Sequence, residues 1–337
     1  MKKIFVTRQI PDAGLNLLAE QCDLNIWPGD LPPSRAELLQ QIASVDGLLC
    51  LLTDRIDEDI IQSAPSLKVI SNYAVGYDNI DIESATKRGI PVGNTPGVLT
   101  QATADFAFSL LMAAARRVCE ADRSVRAGDW KTWGPKTLLG ADVYKATLGL
   151  IGFGRIGQAV AQRARGFEMR VLCYDPYLPA EKVPQGVEMV SLETLYSQSD
   201  FISIHVPLTP QTHHLIDAKA FSKMKPNTIL VNTARGAVIE TQALYLALKD
   251  RQIAAAALDV TDPEPIPANH PLLSLENLII APHIASASTS TRERMAIMAA
   301  ENILAGLNQQ PLPNCVNPQV YTLKQPKDHQ AAKHVER

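Results

Sequence analysis

Cysteine is scarce in this chain of 337 residues: only five are present, and they are widely scattered. Their odd number, without a CxxC pair or a Cys/His ligand spacing, argues against both a disulfide framework and a metal site. Free thiols are typical of proteins in a reducing cytoplasm, which is the compartment we expect.

Long runs of basic residues and long runs of apolar residues are also missing. The net charge is only −3 and no long basic run is present, whereas binding to nucleic acid phosphates needs clustered Lys and Arg. No apolar stretch is long enough to cross a bilayer, and the apolar run near the N-terminus is too short for a signal peptide. We therefore expect neither a nucleic acid nor a membrane as a partner.

The pattern that is present is an alternation of short apolar runs with helical periodicity, which is typical of parallel sheets flanked by helices. Apolar residues make up 46% of the chain, enough for two domains. Strands are predicted at 3–7, 47–52, 68–72, 147–151, 170–174, 201–206, 228–232, 254–260 and 278–281. Helices are predicted at 11–21, 101–127, 155–165 and 290–307, a connector at 89–97, and a disordered tail at 323–337.

A GxGxxG motif lies directly after the predicted strand 147–151 and opens a helix, which is the context that dinucleotide binding requires. The first glycine can make a tight turn, the second lets the backbone approach a pyrophosphate, and the third lets helix and strand pack closely. The positive end of the helix dipole then faces the phosphates. The predicted cofactor-binding residues of this motif are Gly152, Phe153, Gly154, Arg155, Ile156 and Gly157.

An acidic residue, Asp175, ends the next predicted strand at the distance expected for a group that binds the adenosine ribose hydroxyls. Its charge would repel a 2′-phosphate, so it favours NAD over NADP. The alternative is an ordinary strand–helix turn with a surface acid, but strand, glycines, helix and acid in register favour the cofactor site.

Four motifs in order carry a resemblance to a known family. With the glycine motif, the segments 231–236 (VNTARG), 258–265 (LDVTDPEP) and 281–287 (APHIASA) resemble the D-isomer-specific 2-hydroxyacid dehydrogenases. The segments 51–57, 73–81 and 128–135 are similar to those of the glyoxylate and hydroxypyruvate reductases of that family. The resemblance implies NADH-dependent reduction of glyoxylate or hydroxypyruvate to the D-2-hydroxy acid, by a homodimer.

The resemblance also implies a discontinuous domain layout. A flavodoxin-like substrate-binding domain would comprise residues 1–99 and 286–322, with an NAD-binding Rossmann domain, residues 100–285, inserted into it. Both domains would be doubly wound parallel α/β sheets. The position of the glycine motif midway along the chain agrees with this layout.

Three polar residues that follow predicted strands suit hydride transfer to a keto acid. Arg235 can hold the carboxylate and polarise the carbonyl, because guanidinium matches carboxylate geometry and stays charged. His283 can donate the proton in reduction and accept it in oxidation. Glu264 can orient the imidazole and stabilise its charged form. The alternatives are a surface arginine, a structural histidine and an exposed loop acid; the family resemblance assigns the catalytic roles to all three.

Further contacts follow from the resemblance. The substrate carboxylate is also expected to meet the backbone N–H groups of Val75 and Gly76. Leu52 and Trp133 would wall the substrate, although both could be ordinary core residues, and the Trp133 segment resembles one that reaches across a dimer interface. The remaining expected cofactor contacts are Thr103, Pro207, Thr212, Thr233, Ala234 and Asp259.

Two other functions share this fold. A phosphite dehydrogenase would carry a lysine just before the glycine of the substrate loop, where this chain has Val75. A non-catalytic NAD-sensing co-repressor would not need the complete set of Arg235, Glu264 and His283. Both alternatives are therefore disfavoured.

Overall fold

The computed structural model describes residues 1–323. The chain divides into two units. The first unit comprises Met1–Leu99 and the chain from Ser288 onward, and the second unit is Thr100–Ala287. Of the tail predicted from residue 323, only the first residue is described, and it ends a short helix; the rest lies outside the described residues.

The first unit is built on a five-stranded parallel sheet in the order β2-β1-β3-β4-β5, which is the flavodoxin-like order. Its strands are β1 (Lys2–Val6), β2 (Cys22–Ile26), β3 (Gly47–Cys50), β4 (Val69–Asn72) and β5 (Val92–Gly93). Its helices are α1 (Asp12–Ala19), α2 (Arg35–Ile42), α3 (Glu58–Gln62), α4 (Ile82–Lys87), α11 (Thr289–Leu307) and α12 (Val320–Leu323).

Local sequence explains how several of these helices begin and pack. Ser34 caps α2 in a capping box with Glu37, and aspartates cap α3 and α4. The helices α1 and α11 approach so closely that a Cβ on Gly14 would lie 2.5 Å from the carbonyl oxygen of Ala296. The late helix α11 therefore belongs to the same packed unit as the first elements of the chain.

The second unit contains a seven-stranded parallel sheet in the order β12-β11-β10-β9-β6-β7-β8, a Rossmann order extended by one strand. Its strands are β6 (Thr147–Ile151), β7 (Arg170–Tyr174), β8 (Val187–Met189), β9 (Phe201–Ile204), β10 (Ile229–Asn232), β11 (Ala255–Leu258) and β12 (Leu278–Ile280). Its helices are α5 (Thr100–Ala115), α6 (Val118–Arg126), α7 (Arg155–Ala164), α8 (Leu192–Gln198), α9 (Ala218–Phe221) and α10 (Thr241–Lys249).

The strands of this sheet are covered on both faces. Leu230 packs in the core on one side and its neighbour Val231 in the core on the other; Ala256 and Ala257 of β11 divide in the same way. Strands buried on both faces need continuous apolar runs, which is why the sequence shows them so clearly. The prediction of two parallel α/β sheets is confirmed.

The single helix predicted at 101–127 is wrong. The helix α5 ends at Ala115, and α6 starts at Val118 after Arg117, whose backbone is left-handed (φ 52°). The guanidinium of Arg117 holds the break by donating to Glu120 and to the carbonyl oxygen of Leu139 (3.2 Å). The predicted connector 89–97 also contains the short strand β5.

Within residues 1–323, no helix is long and apolar enough to cross a membrane. The same part of the chain contains no cluster of His, Cys, Asp and Glu suited to a metal ion. All five cysteines are free thiols.

Candidate active site

The glycine motif forms a tight passage from β6 into α7. Gly152 has φ +91°, and a Cβ there would lie 2.8 Å from the carbonyl group of His205. A Cβ on Gly157 would lie 2.3 Å from the carbonyl oxygen of Gly152, so this glycine permits the helix to pack against the turn. Around Gly154, by contrast, a Cβ would meet no atom within 4 Å. The loop is open where a ligand would approach.

The helix α7 presents its positive end at this opening. Gly154 occupies the N-cap position, and no side chain caps the first N–H groups of the helix. Uncapped N–H groups together with the helix dipole favour an anion such as a phosphate. The turn therefore fits the pyrophosphate of a dinucleotide.

Asp175 lies beside the same turn at the end of β7. Its carboxylate accepts hydrogen bonds from the N–H groups of Phe153 and Tyr177, both at 2.9 Å. The side chain is only partly buried. A fixed, partly exposed carboxylate next to the glycine loop is suited to accept hydrogen bonds from ribose hydroxyls.

His205 supports the glycine turn from beneath, and sequence reasoning missed it. Its N–H donates to the carbonyl oxygen of Ile151 (2.7 Å), and its ring Nε2 lies 2.9 Å from the Ser203 hydroxyl. Burial lowers the pKa of His205 to about 4, so the ring is neutral at physiological pH. The glycine turn thus rests on an uncharged polar group.

Arg235 is positioned by a buried asparagine at the end of β10. The side chain of Asn232 accepts from the N–H of Ala234 (2.9 Å) and donates to the carbonyl oxygen of Arg235 (2.8 Å). Asn232 is fully buried, whereas Arg235 is only partly buried. The amide of Asn232 therefore shapes the turn from which the guanidinium projects, a role that no motif in the sequence indicated.

His283 and Glu264 form a hydrogen-bonded pair. The ring Nδ1 of His283 lies 2.6 Å from Oε1 of Glu264, and the other carboxylate oxygen accepts from the N–H of Thr261 (3.2 Å). About a quarter of the His283 side chain (25%) and a third of the Glu264 side chain (32%) are exposed. Because Nδ1 is committed to Glu264, Nε2 is the ring nitrogen that remains to exchange a proton.

Asp259, at the end of β11, fixes the backbone around His283. Its carboxylate accepts from the N–H groups of Ile284 (2.7 Å) and Ala285 (2.8 Å), and its carbonyl oxygen accepts from the N–H of His283 (2.8 Å). These bonds hold His283 at φ 55°, a left-handed conformation that is unusual for histidine. Burial raises the pKa of Asp259 and the two N–H groups oppose that rise.

The electrostatics of the pair favour an ionised Glu264. Burial acts to raise its pKa, but the hydrogen bond and charge of His283, the N–H of Thr261 and the charge of Arg235 together lower it below the usual value. The loop of Arg235 packs tightly against this region, since a Cβ on Gly236 would lie 2.0 Å from the carbonyl oxygen of Thr261. The structure thus brings Arg235, Glu264 and His283 to one edge of the sheet.

The other predicted residues of the second unit lie in several places. Pro207 and Thr212 share the loop after β9, where the Thr212 hydroxyl donates to the Pro207 carbonyl oxygen (2.6 Å). Thr103 is buried on α5, and Trp133 is exposed (78%). Within the described chain, the buried hydroxyl of Thr233 has no hydrogen-bond partner, which suits a polar ligand group next to it.

The predicted substrate contacts of the first unit follow its parallel strands. Leu52 lies in the loop after β3, and Val75 and Gly76 lie in the loop after β4. All three are partly exposed. They therefore occupy the carboxyl edge of the first sheet, where ligands bind in open α/β sheets.

Comparisons with known proteins agree with this architecture. A family model described as "D-isomer specific 2-hydroxyacid dehydrogenase, NAD binding domain" matches residues 108–285. A glyoxylate reductase of Korarchaeum cryptofilum is 53% identical over 326 residues, which cover 96% of this chain and 98% of that protein. A glyoxylate reductase of Thermococcus litoralis is 50% identical over 329 residues, covering 96% and 99% of the two chains.

Solved structures are similar over the same extent. The crystal structure of a Thermus thermophilus protein, 47% identical, superposes with a TM-score of 0.89 and covers 93% of this chain and 99% of that one. An NADPH-dependent glyoxylate/hydroxypyruvate reductase of Sinorhizobium meliloti, in complex with NADP and malonate, is 31% identical with a TM-score of 0.84, covering 94% and 98%. The similarity spans nearly the whole chain and is not limited to the glycine motif.

Proposed function

Since this chain belongs to the D-isomer specific 2-hydroxyacid dehydrogenase family, we propose that it reduces glyoxylate to glycolate, or hydroxypyruvate to D-glycerate, with NADH. Membership of the family makes it a nicotinamide-dependent oxidoreductase. The observation that carries the substrate proposal is the His283–Glu264 pair, with Nδ1 and Oε1 2.6 Å apart, beside the cationic Arg235.

In the proposed mechanism the chain supplies charge and a proton. Arg235 binds the carboxylate of the keto acid and polarises its carbonyl group. His283 donates the proton on Nε2 to the carbonyl oxygen as negative charge develops there, while Glu264 keeps the ring oriented through Nδ1. Bound NADH supplies the hydride that adds to the carbonyl carbon.

The cofactor preference is a proposal that rests on Asp175. The structurally similar reductase of Sinorhizobium meliloti is NADPH-dependent, so the fold alone does not select the cofactor. A carboxylate held beside the glycine loop accepts hydrogen bonds from the 2′- and 3′-hydroxyls of NADH and repels the 2′-phosphate of NADPH. The cofactor contacts of Thr103, Pro207, Thr212, Thr233, Ala234 and Asp259 stay predictions, as do the substrate contacts of Leu52, Val75, Gly76 and Trp133.

A homodimer is the proposed assembly. Large apolar side chains are exposed along residues 118–144, and α6 has no buried residue. The exposed side chains of this segment are Val118, Val125, Trp130, Trp133, Leu139 and Tyr144. Covering such a surface is a common reason for association. Light scattering should give the mass of a dimer, and Val125→Asp should shift the measured mass toward that of the monomer.

We also propose a cytoplasmic location, which suits the free thiols.

The decisive experiment is a panel of absorbance assays. NADH oxidation is followed with glyoxylate, hydroxypyruvate and pyruvate, and NAD⁺ reduction with D-glycerate, L-glycerate and phosphite. We expect reduction of glyoxylate or hydroxypyruvate and oxidation of D-glycerate but not L-glycerate. Turnover of phosphite alone would identify a phosphite dehydrogenase. NAD binding without any turnover would favour a co-repressor and refute the proposed function.

A further inference from the structure

The loop that follows β4 has three consecutive carbonyl oxygens tied by hydrogen bonds. The carbonyl oxygens of residues 74–76 accept, in chain order, from the N–H of Thr95 (2.9 Å), the side-chain amide of Asn94 (2.8 Å) and the side-chain amide of Asn72 (2.8 Å). Two of the three donors are side chains. The direction of these peptide groups therefore depends on two asparagines.

The same bonds set the direction of the N–H groups. None of these peptide bonds is cis, and in a trans peptide the C=O and the following N–H point to opposite sides. The amide of Asn94 thus directs the N–H of Gly76, and the amide of Asn72 directs the N–H of Tyr77. Across residues 1–323, no acceptor is found for the N–H groups of Val75, Gly76 or Tyr77.

Both asparagines are held firmly in place. Asn94 is 8% exposed, and its carbonyl oxygen accepts from the buried amide of Asn302 on α11 (3.0 Å). Asn72 is fully buried, and its amide also donates to Oδ1 of Asn79 (3.0 Å). Leaving a buried amide or carbonyl without a partner is costly, so the two asparagines keep the peptide groups from rotating.

The loop itself, Tyr73–Tyr77, carries no positively charged side chain. An anion bound at this loop would therefore be held by its N–H groups, and successive backbone N–H groups are known to form anion-binding sites. We propose that Asn94 and Asn72 are positioning residues for substrate: they hold the carbonyl oxygens of Val75 and Gly76 so that the opposing N–H groups, including that of Tyr77, bind the substrate carboxylate. This inference rests on the proposed function, which supplies the carboxylate.

The test uses oxalate, a dicarboxylate that binds without reacting, titrated calorimetrically into the full-length enzyme in the presence of NADH. The variant is Asn94→Ala. The matched control is Asn317→Ala, because Asn317, like Asn94, is a buried asparagine of the first unit, and its amide donates to the carbonyl oxygen of Ile90 at 3.0 Å. We expect Asn94→Ala to bind oxalate about tenfold to a hundredfold more weakly, the effect of losing one hydrogen bond to a charged group.

Kinetics supply a second readout. The KM for the keto acid should rise by a similar factor in Asn94→Ala, with kcat and the KM for NADH nearly unchanged, because binding of the carboxylate is lost in ground and transition states alike. Asn317→Ala should keep the wild-type values. Oxalate affinity that is unchanged in Asn94→Ala, or weakened equally in Asn317→Ala, would overturn the proposal.

If Asn94→Ala does not fold, Asn94→Ser is measured in its place; it keeps a short donor and should lose a smaller part of the affinity, and an unchanged affinity would again count against the proposal. If the wild type reduces no keto acid, the proposed function fails, but the oxalate titration still decides whether Asn94 orients an anion site.

Discussion

Glu264→Gln tests whether the carboxylate beside His283 contributes to proton transfer. Glutamine keeps the size of the side chain and an oxygen that can accept from Nδ1, but it removes the negative charge. Hydrogen bonds to charged groups contribute about 1.5 to 3 kcal/mol. The side chains of His283 and Glu264 are partly exposed (25% and 32%), so solvent screens the pair. Because glutamine keeps a neutral hydrogen bond of about 0.5 to 1.5 kcal/mol, we expect the substitution to cost the difference, about 1 kcal/mol.

A loss of this size corresponds to a fall in kcat/KM for reduction of about fivefold at neutral pH. Reduction needs a proton on Nε2 of His283, and the Glu264 carboxylate orients the ring through Nδ1. Because the pKa of Glu264 is lowered, its carboxylate stays charged in the wild type from neutral pH down to about pH 4.3. The difference in activity between the wild type and Glu264→Gln should therefore persist over that range.

The assay is kcat/KM for glyoxylate between pH 5 and 9 at saturating NADH, followed by absorbance. A primary isotope effect with deuterated NADH establishes that hydride transfer is being observed. Glu193→Gln is the matched control, because Glu193 also accepts a hydrogen bond from a cation, Lys223 (2.8 Å), but is largely exposed and away from the site. If the wild-type and Glu264→Gln profiles overlay, Glu264 does not assist His283.

Four further outcomes are expected. Asp175→Ala should reduce the preference for NADH over NADPH, measured as the ratio of kcat/KM values, and a wild type that uses both cofactors equally would contradict this role of Asp175. Arg235→Lys keeps the charge but loses the planar two-point grip on a carboxylate; kcat/KM for glyoxylate should fall by roughly tenfold to a thousandfold, with the KM for NADH nearly unchanged, and unaltered turnover would remove Arg235 from the site. Asn232→Ala breaks two hydrogen bonds in the turn before Arg235, so the free energy of unfolding, measured by thermal unfolding, should fall by about 1 to 3 kcal/mol, and kcat/KM should fall as well. A loss of stability with full activity would show that the turn does not position the guanidinium. Because the pKa of Glu264 is lowered, its side chain should stay ionised as the pH falls to about 4.3, the ordinary pKa of glutamate, and should be protonated only below that pH. The lowered pKa would be contradicted if wild-type kcat/KM for reduction fell with acidification well above about pH 4.3 and this fall were absent in Glu264→Gln.

The elements that the sequence predicted well are those with a local signature. The strands β6 and β7 were predicted at the bounds they have, because a strand buried on both faces needs an uninterrupted apolar run. The glycine motif was recognisable because its spacing is imposed by the turn at Gly152 and by the close packing at Gly157. The short edge strand β8, with no buried residue, left no such pattern.

The break between α5 and α6 was missed for a related reason. The segment around it contains no proline or glycine, and its composition favours a helix throughout. What interrupts it is the left-handed backbone of Arg117, whose guanidinium binds Glu120 and the distant carbonyl oxygen of Leu139. A contact with a residue 22 positions away cannot be read from local periodicity.

By itself, the sequence determined the class of fold, the dinucleotide motif and the identity of the three polar residues that follow strands β10, β11 and β12. Parallel strands have their carboxyl ends at one edge of the sheet, so these three residues are expected at the same edge. Only the tertiary structure decided how those residues are held. Glu264 forms a hydrogen bond with Nδ1 of His283, Asp259 accepts from the backbone N–H of Ile284, and Asn232 donates to the carbonyl oxygen of Arg235. The role of a buried amide or carboxylate depends on the groups with which it forms hydrogen bonds. Those groups come from separate segments of the chain that only folding brings together.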